Sequence, residues 1–197
     1  VAYGSNQNEK FDVFTPETAS ARLPTVVWIH GGAWVSGHRE DVDPYLKIIA
    51  SHGYATVSLD YSIALEATYP TAITQLNDAL AFLVAHADEY GIDPDRIIIA
   101  GDSAGAQFTS QLATLTTNPA YAKRLGLIPA LSKDQLRAVI LNCGIYDVSG
   151  IPNAPGIGGW GFRIALWAYL GDKNWSTTPG GEDMSTLDFV TRHFPQT

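Results

Sequence analysis

RIIIAGDSAGAQ, the stretch from Arg96 to Gln107, changes character twice within its length. Ile97, Ile98, Ile99 and Ala100 make a continuous apolar, mostly β-branched run, which is how a strand covered on both faces of a parallel sheet reads. Gly101, Asp102, Ser103, Ala104 and Gly105 follow in the spacing G-x-S-x-G, and beyond them Phe108, Leu112 and Leu115 recur at helical period. The local order is therefore strand, sharp turn, helix. Two glycines remove the Cβ atoms that would collide where a strand folds tightly back into a helix. Ser103 is left at the tip, with its hydroxyl directed out of the sheet edge. The backbone N–H of Ala104, at a helix N-terminus, then faces any developing negative charge. The same spacing also arises as a plain small-residue turn. The strand before it and the helix after it are what give the motif weight.

A second stretch points the same way. Thr25 to Ile29 (TVVWI) is another buried-strand run, and it opens directly into His30 to Trp34 (HGGAW). Together, HGGAW and GDSAG resemble the α/β-hydrolase superfamily, in the branch of carboxylesterases and lipases similar to hormone-sensitive lipase. The resemblance covers nearly the whole chain. It implies backbone N–H donors to an oxyanion hole from Gly32 and Ala33, with Ala104 as the third donor, Ser103 as nucleophile, and Gly31 serving the turn. Trp34 and Asp102 are expected to line the substrate pocket. Two departures, Ala33 where many members carry a third glycine and Ala106 where many carry a glycine after GDSAG, remove no backbone donor. The Trp34 form of the loop is also similar to that of smaller esterases and of arylformamidases, which leaves the substrate open.

Bulk properties fit a single domain. The 197 residues suffice to bury roughly 70% of the unfolded surface. Apolar residues at 46% and charged residues at 16% suit a packed α/β core and argue against disorder. A formal charge of −8 without basic stripes argues against nucleic acid as a partner, because phosphate binding needs clustered Lys and Arg. Cys143 is the only cysteine, so neither an intramolecular disulfide nor a thiolate metal cluster can form. No metal or cofactor is implied. No apolar run approaches the roughly 20 residues that span a bilayer. The expected compartment is the cytoplasm, with secretion after signal removal as the alternative.

Along the chain, Glu9 to Phe14 reads as an edge strand and Asp43-Pro44 as a helix start, with Gly53 closing that helix. Tyr54 to Leu59 reads as a buried strand ending at Asp60-Tyr61. The branch often carries an Asp-Tyr pair there, followed by an arginine that Ser62 replaces. Asp60 precedes Ser103, whereas the fold's order is Ser, acid, His, so Asp60 reads as a structural hydrogen-bonding residue. Thr71 to Tyr90 keeps a helical period through Ile73, Leu76, Leu80 and Leu83. Pro119 to Pro129 reads as a connecting segment and Arg137 to Asn142 as a further inner strand. Strand, helix, strand in repetition predicts a doubly wound, mainly parallel sheet, the α/β-hydrolase fold lacking its C-terminal strands. Residues 151–183, rich first in Gly and Pro and then in Phe162, Trp167, Tyr169 and Trp175, resemble the cap found over hydrolase sites. Aromatic side chains serve cores equally well.

A serine nucleophile needs a base. His30 belongs to the loop it would anchor, His38 and His52 read as surface or helix-end positions, and His86 as a solvated helix residue. Asp147 and His193 follow Ser103 in the right order for an internal triad. The family, however, places its acid after a later strand, and the segment before Thr197 resembles the approach to that strand. The expectation is an N-terminal part of a hydrolase, with acid and base beyond Thr197 and this stretch alone inactive. The open edge beside Arg137 to Asn142 would then be covered by a C-terminal segment or by a second copy in a homo-oligomer. Two function classes stand: a serine esterase acting on small acyl or aryl esters, or an amidase of the formamidase kind; and a non-catalytic member binding a small apolar ligand.

Overall fold

The computed structural model describes residues 1–17 and 21–197. Five strands form one sheet: β1 (Phe11–Phe14), β2 (Leu23–Ile29), β3 (Ala55–Leu59), β4 (Ile92–Asp102) and β5 (Leu136–Asn142). Their order is β1-β3-β2-β4-β5. β1 runs antiparallel on β3 at one edge, and the other neighbours are parallel. The strands had to be apolar on both faces because helices cover both. Val26, Trp28 and Ala100 meet Leu46 of helix α1 (Asp43–Ser51) on one side. Alternate residues Val27, Ile29, Val57, Leu59 and Ile99 point to the other side, into the core built with α2 (Thr71–Ala85) and α3 (Ala104–Thr117). The sheet is thus doubly wound and mainly parallel, as its sequence pattern predicts.

Three elements differ from expectation. Helix α2 stops at Ala85, short of Tyr90, because the His86 ring binds back to Phe82 O at 2.9 Å and the Ala87 carbonyl accepts from Ile92 N–H, which starts the next strand. β4 begins at Ile92 and contains Pro94. The β2–β4 register jumps from Leu23↔Ile92 to Thr25↔Ile97, and this irregularity takes the proline out of the ladder. The connecting segment holds a helix, α4 (Pro119–Leu125), capped by the Asn118 side chain, which accepts from Ala120 and Tyr121 N–H, and closed by Gly126 at φ 68°.

Residues 151–183 contain helix α5 (Gly156–Leu170), a 3₁₀ turn (Trp175–Thr177) and most of α6 (Pro179–Met184). Leu166, Tyr169, Trp175 and Met184 are buried in the main core, whereas Ile157, Trp160, Ile164 and Trp167 face outward. The segment therefore serves both as core and as surface. β5 is the last strand of the sheet order. It is not left wholly bare: Gln196 forms a parallel bridge with Ala138, its carbonyl accepting from Val139 N–H at 2.8 Å.

Candidate active site

All four parallel strands end at one edge of the sheet, since Ile29 pairs with both Leu59 and Gly101 and Asp102 pairs with Asn142. The residues that follow them, His30, Asp60, Ser103 and Cys143, are gathered there. This is where an open α/β sheet offers a site.

Ser103 is the turn itself. Its backbone stands at φ 53°, ψ −116°, a region that costs about 1–3 kcal/mol for a non-glycine residue. The strain is held from both sides: Ser103 N–H donates to Asn142 O at 2.8 Å on β5, and its carbonyl accepts from Gln107 N–H at 3.1 Å in α3. Among the described residues, neither the Ser103 hydroxyl nor the Ala104 N–H has a hydrogen-bonding partner. The turn is tight enough that a Cβ on Gly105 would lie 2.0 Å from the Ile29 carbonyl oxygen. A Cβ on Gly31 would lie 3.2 Å from Ser103 Cβ, so the HGGAW loop rests directly against the serine.

That loop is strained in turn, with Gly32, Ala33 and Trp34 all at positive φ (117°, 51° and 64°). Its carbonyls are tied away from the serine. Tyr61 Oη donates to His30 O at 2.9 Å, and the His30 Nδ1–H to Gly31 O at 2.7 Å. Gly32 O accepts from Val35 and Ser36 N–H at 3.0 Å each, and Trp34 O from Ala64 N–H at 2.7 Å. The N–H groups of Gly32 and Ala33 donate to nothing among the described residues. The carbonyls of His30, Gly31, Gly32 and Trp34 are bound, while the amides of Gly32, Ala33 and Ala104 have no partner among the described residues. Backbone donors fixed in this way stabilise charge without reorganising.

The two expected pocket residues are placed differently. Trp34 is 1% exposed; its Nε1–H donates to Gln107 Oε1 at 3.4 Å and its ring stacks 6.1 Å from Tyr169. Its side chain is core beneath the loop, because the positive φ turns it inward, and so it is no pocket wall. Asp102 accepts from Trp28 Nε1–H at 3.0 Å and borders a cleft of about 320 Å³ with His30, Gly31 and Ser36.

No histidine hydrogen-bonds to the Ser103 hydroxyl among the described residues. His30 is buried, stacked 4.4 Å on Tyr61 and spent on Gly31 O, and burial pushes its pKa below the ordinary 6.5. His52 and His86 close the helices that precede β3 and β4, at the opposite sheet edge. His193 lies three residues before the Gln196 bridge, and Ala138, the partner of Gln196, lies four residues before Asn142. At about 3.3 Å per residue that puts Gln196 roughly 13 Å from the serine edge, with His193 in an exposed turn before it, bonded to Thr191 Oγ1. Asp147 is an exposed loop residue, accepting from Ser149 N–H at 2.8 Å and from Ser185 Oγ at 3.4 Å, and these bonds hold its pKa below the usual carboxylate value. The internal Asp147–His193 alternative is therefore not assembled. Sequence reasoning missed the tyrosine that fastens the loop: Tyr61 was visible only as part of an Asp-Tyr pair.

Known proteins fit this geometry. The chain is 34% identical over 151 residues to the esterase LipC of Mycobacterium tuberculosis, covering 75% of this chain and 36% of LipC. It is 39% identical over 104 residues to the carboxylesterase NlhH of the same organism, covering 52% of this chain and 33% of NlhH. The chain thus spans about a third of the length of these curated relatives. The crystal structure of esterase B from Lactobacillus rhamnosis superposes with a TM-score of 0.84 at 22% identity, over 98% of this chain and 60% of that one, and so shares the fold. The BD-FAE family matches residues 11–195, which include every strand and both strained turns, and the chain accordingly belongs to the BD-FAE family, on the esterase branch of the α/β-hydrolases.

Proposed function

We propose that this chain carries the nucleophile and oxyanion hole of a serine ester hydrolase. One observation carries the reading: a strained Ser103 at the C-terminal sheet edge, next to the partnerless amide of Ala104 and against a loop in which the Gly32 and Ala33 amides are free while the carbonyls of His30, Gly31, Gly32 and Trp34 are bound. In this reading Ser103 Oγ attacks the ester carbonyl carbon and its proton passes to a general base and on to the leaving alcohol. The three amides hold the oxyanion, and water then releases the acid from the acyl-enzyme. In this reading the base and its orienting acid come from outside these 197 residues, since no histidine hydrogen-bonds to the Ser103 hydroxyl among the described residues.

Residues 151–183 act as a short cap. Tyr169 of α5 stacks on Trp34, which sets the segment against the oxyanion loop. A compact aromatic cap of this kind favours short acyl or aryl esters over long lipids. The test is labelling of the complete natural chain with a fluorophosphonate, followed by turnover of p-nitrophenyl acetate, butyrate and palmitate. Label on Ser103, acetate or butyrate preferred, and a loss on the order of 10⁶ in kcat for Ser103→Ala support the reading. An unlabelled, folded, inactive protein leaves the binding-module alternative, and a preference for palmitate overturns the substrate class.

A further inference from the structure

His30 ties down the Gly31 carbonyl, so the state of its ring bears on the oxyanion loop. A carbonyl only accepts; Nδ1 must therefore carry the proton, and Nε2 is left with a bare lone pair. Nε2 is buried without a partner among the described residues, and Asp60 Oδ1, also an acceptor, lies 3.8 Å away. Two acceptors facing one another invite a second proton onto the ring. Burial opposes it, and the carboxylate that would attract that proton is itself engaged by a cation on its far side. Arg39 N–H donates to Asp60 Oδ1 at 2.7 Å and its guanidinium donates to Asp60 Oδ2, while Arg39 Nε reaches Asp12 at 2.8 Å and Nη2 reaches Glu40 at 2.6 Å. Position 62, next to the Asp60-Tyr61 pair, holds a buried serine, so the guanidinium arrives instead from the loop that follows HGGAW.

We propose that Arg39 and Asp60 are positioning residues for the oxyanion loop: Arg39 neutralises the carboxylate that faces His30, and the ring stays neutral, stacked on Tyr61 and bonded to Gly31 O. The other charges acting on His30 are Asp102 and Asp41, both acidic, so without Arg39 on Asp60 every charged neighbour favours imidazolium and burial alone opposes it. A protonated ring would turn its Nε2–H onto Asp60 and loosen its hold on Gly31 O. The amides of Gly32 and Ala33 would then drift from the oxyanion position. Displacements near 1 Å in such groups cost up to about 100-fold.

The kinetic part rests on the esterase reading; the state of the ring does not. Arg39→Gln, Arg39→Lys, Asp60→Asn and the double variant Arg39→Gln/Asp60→Asn are made in the complete natural chain. Each is followed by kcat and KM for p-nitrophenyl acetate and by ¹⁵N shifts of the His30 imidazole against pH. Arg39→Gln should lower kcat about 10- to 100-fold with KM within about twofold, and move the His30 titration upward. Arg39→Lys should recover part of the loss. The double variant should exceed Arg39→Gln in kcat, because a neutral amide at position 60 leaves no uncompensated charge and can donate to Nε2. A general structural role predicts the double to be no better than the single. A folded Arg39→Gln with unchanged kcat and an unmoved His30 titration overturns the proposal, as does a double variant without recovery. If Arg39→Gln does not fold, Asp60→Asn and Arg39→Lys decide: each must keep the His30 ring neutral at neutral pH, with the proton on Nδ1 and Nε2 bare. If the parent protein neither turns over esters nor takes label on Ser103, the esterase reading fails, and the imidazole shifts still decide the role of Arg39.

Discussion

Gly105 lies on the buried side of the elbow and Ser103 on its open side, and the two place opposite demands on the same turn. A methyl on Gly105 would strike the backbone of Ile29, which cannot move without shifting β2. Gly105→Ala should therefore cost about 3 kcal/mol or more, seen as a lowered urea midpoint. His30 makes a pH prediction. Its folded pKa lies below 6.5 because burial disfavours the imidazolium, so below 6.5 the unfolded chain binds more protons than the folded one. The stability this residue contributes is complete above that value and drains away as pH falls towards the folded pKa. Urea midpoints between pH 7.5 and pH 5 should decline, and His30→Gln should flatten that decline. The glycines and the serine were legible as a motif. The positive φ of Ala33 and Trp34 was not, since neither residue type favours that region; the bound carbonyls on either side impose it.

The central strands and the edge strand β1 are legible from apolar runs and alternation, whereas the short helix α4 is not and the end of α2 is not. Helix α4 buries only Tyr121 and Ala122, too few for a period to show. Its caps were in plain sight: Asn118 followed by Pro119 at the start, Gly126 at the end. Asn118→Ala should cost about 1–2 kcal/mol in thermal or urea unfolding, whereas Asn118→Asp, which keeps the acceptor for Ala120 and Tyr121 N–H, should retain most of the stability. Helix α2 failed in the other direction. Ala87 and Tyr90 continue its apolar pattern past the true end, and the chain leaves the helix where the His86 ring binds back to Phe82 O and the Ala87 carbonyl, just beyond the helix, accepts from Ile92 N–H.

Across the whole molecule, the outward side of α5 carries Ile157, Trp160, Ile164 and Trp167 at successive steps of three and four residues, all well exposed. These side chains do not contribute to the core, so Ile157→Glu with Trp160→Lys should change the unfolding free energy by no more than about 0.5 kcal/mol while lowering the binding of a hydrophobic dye. The described helices include none long and apolar enough to cross a membrane. By itself the sequence determined the parallel sheet wound on both faces, the elbow at Ser103 and the loop at HGGAW, because these rest on local patterns: continuous apolar runs, helical period, and glycines where backbones touch. Tertiary structure alone decided that Trp34 is core, that Asp147 and His193 make no hydrogen bond to Ser103 or to each other among the described residues, that Tyr61 binds the His30 carbonyl and that Arg39 reaches Asp60. Each of those depends on which strand lies beside which and in what register, and residues 21 to 31 positions apart in sequence meet only when β2 and β3 are laid side by side.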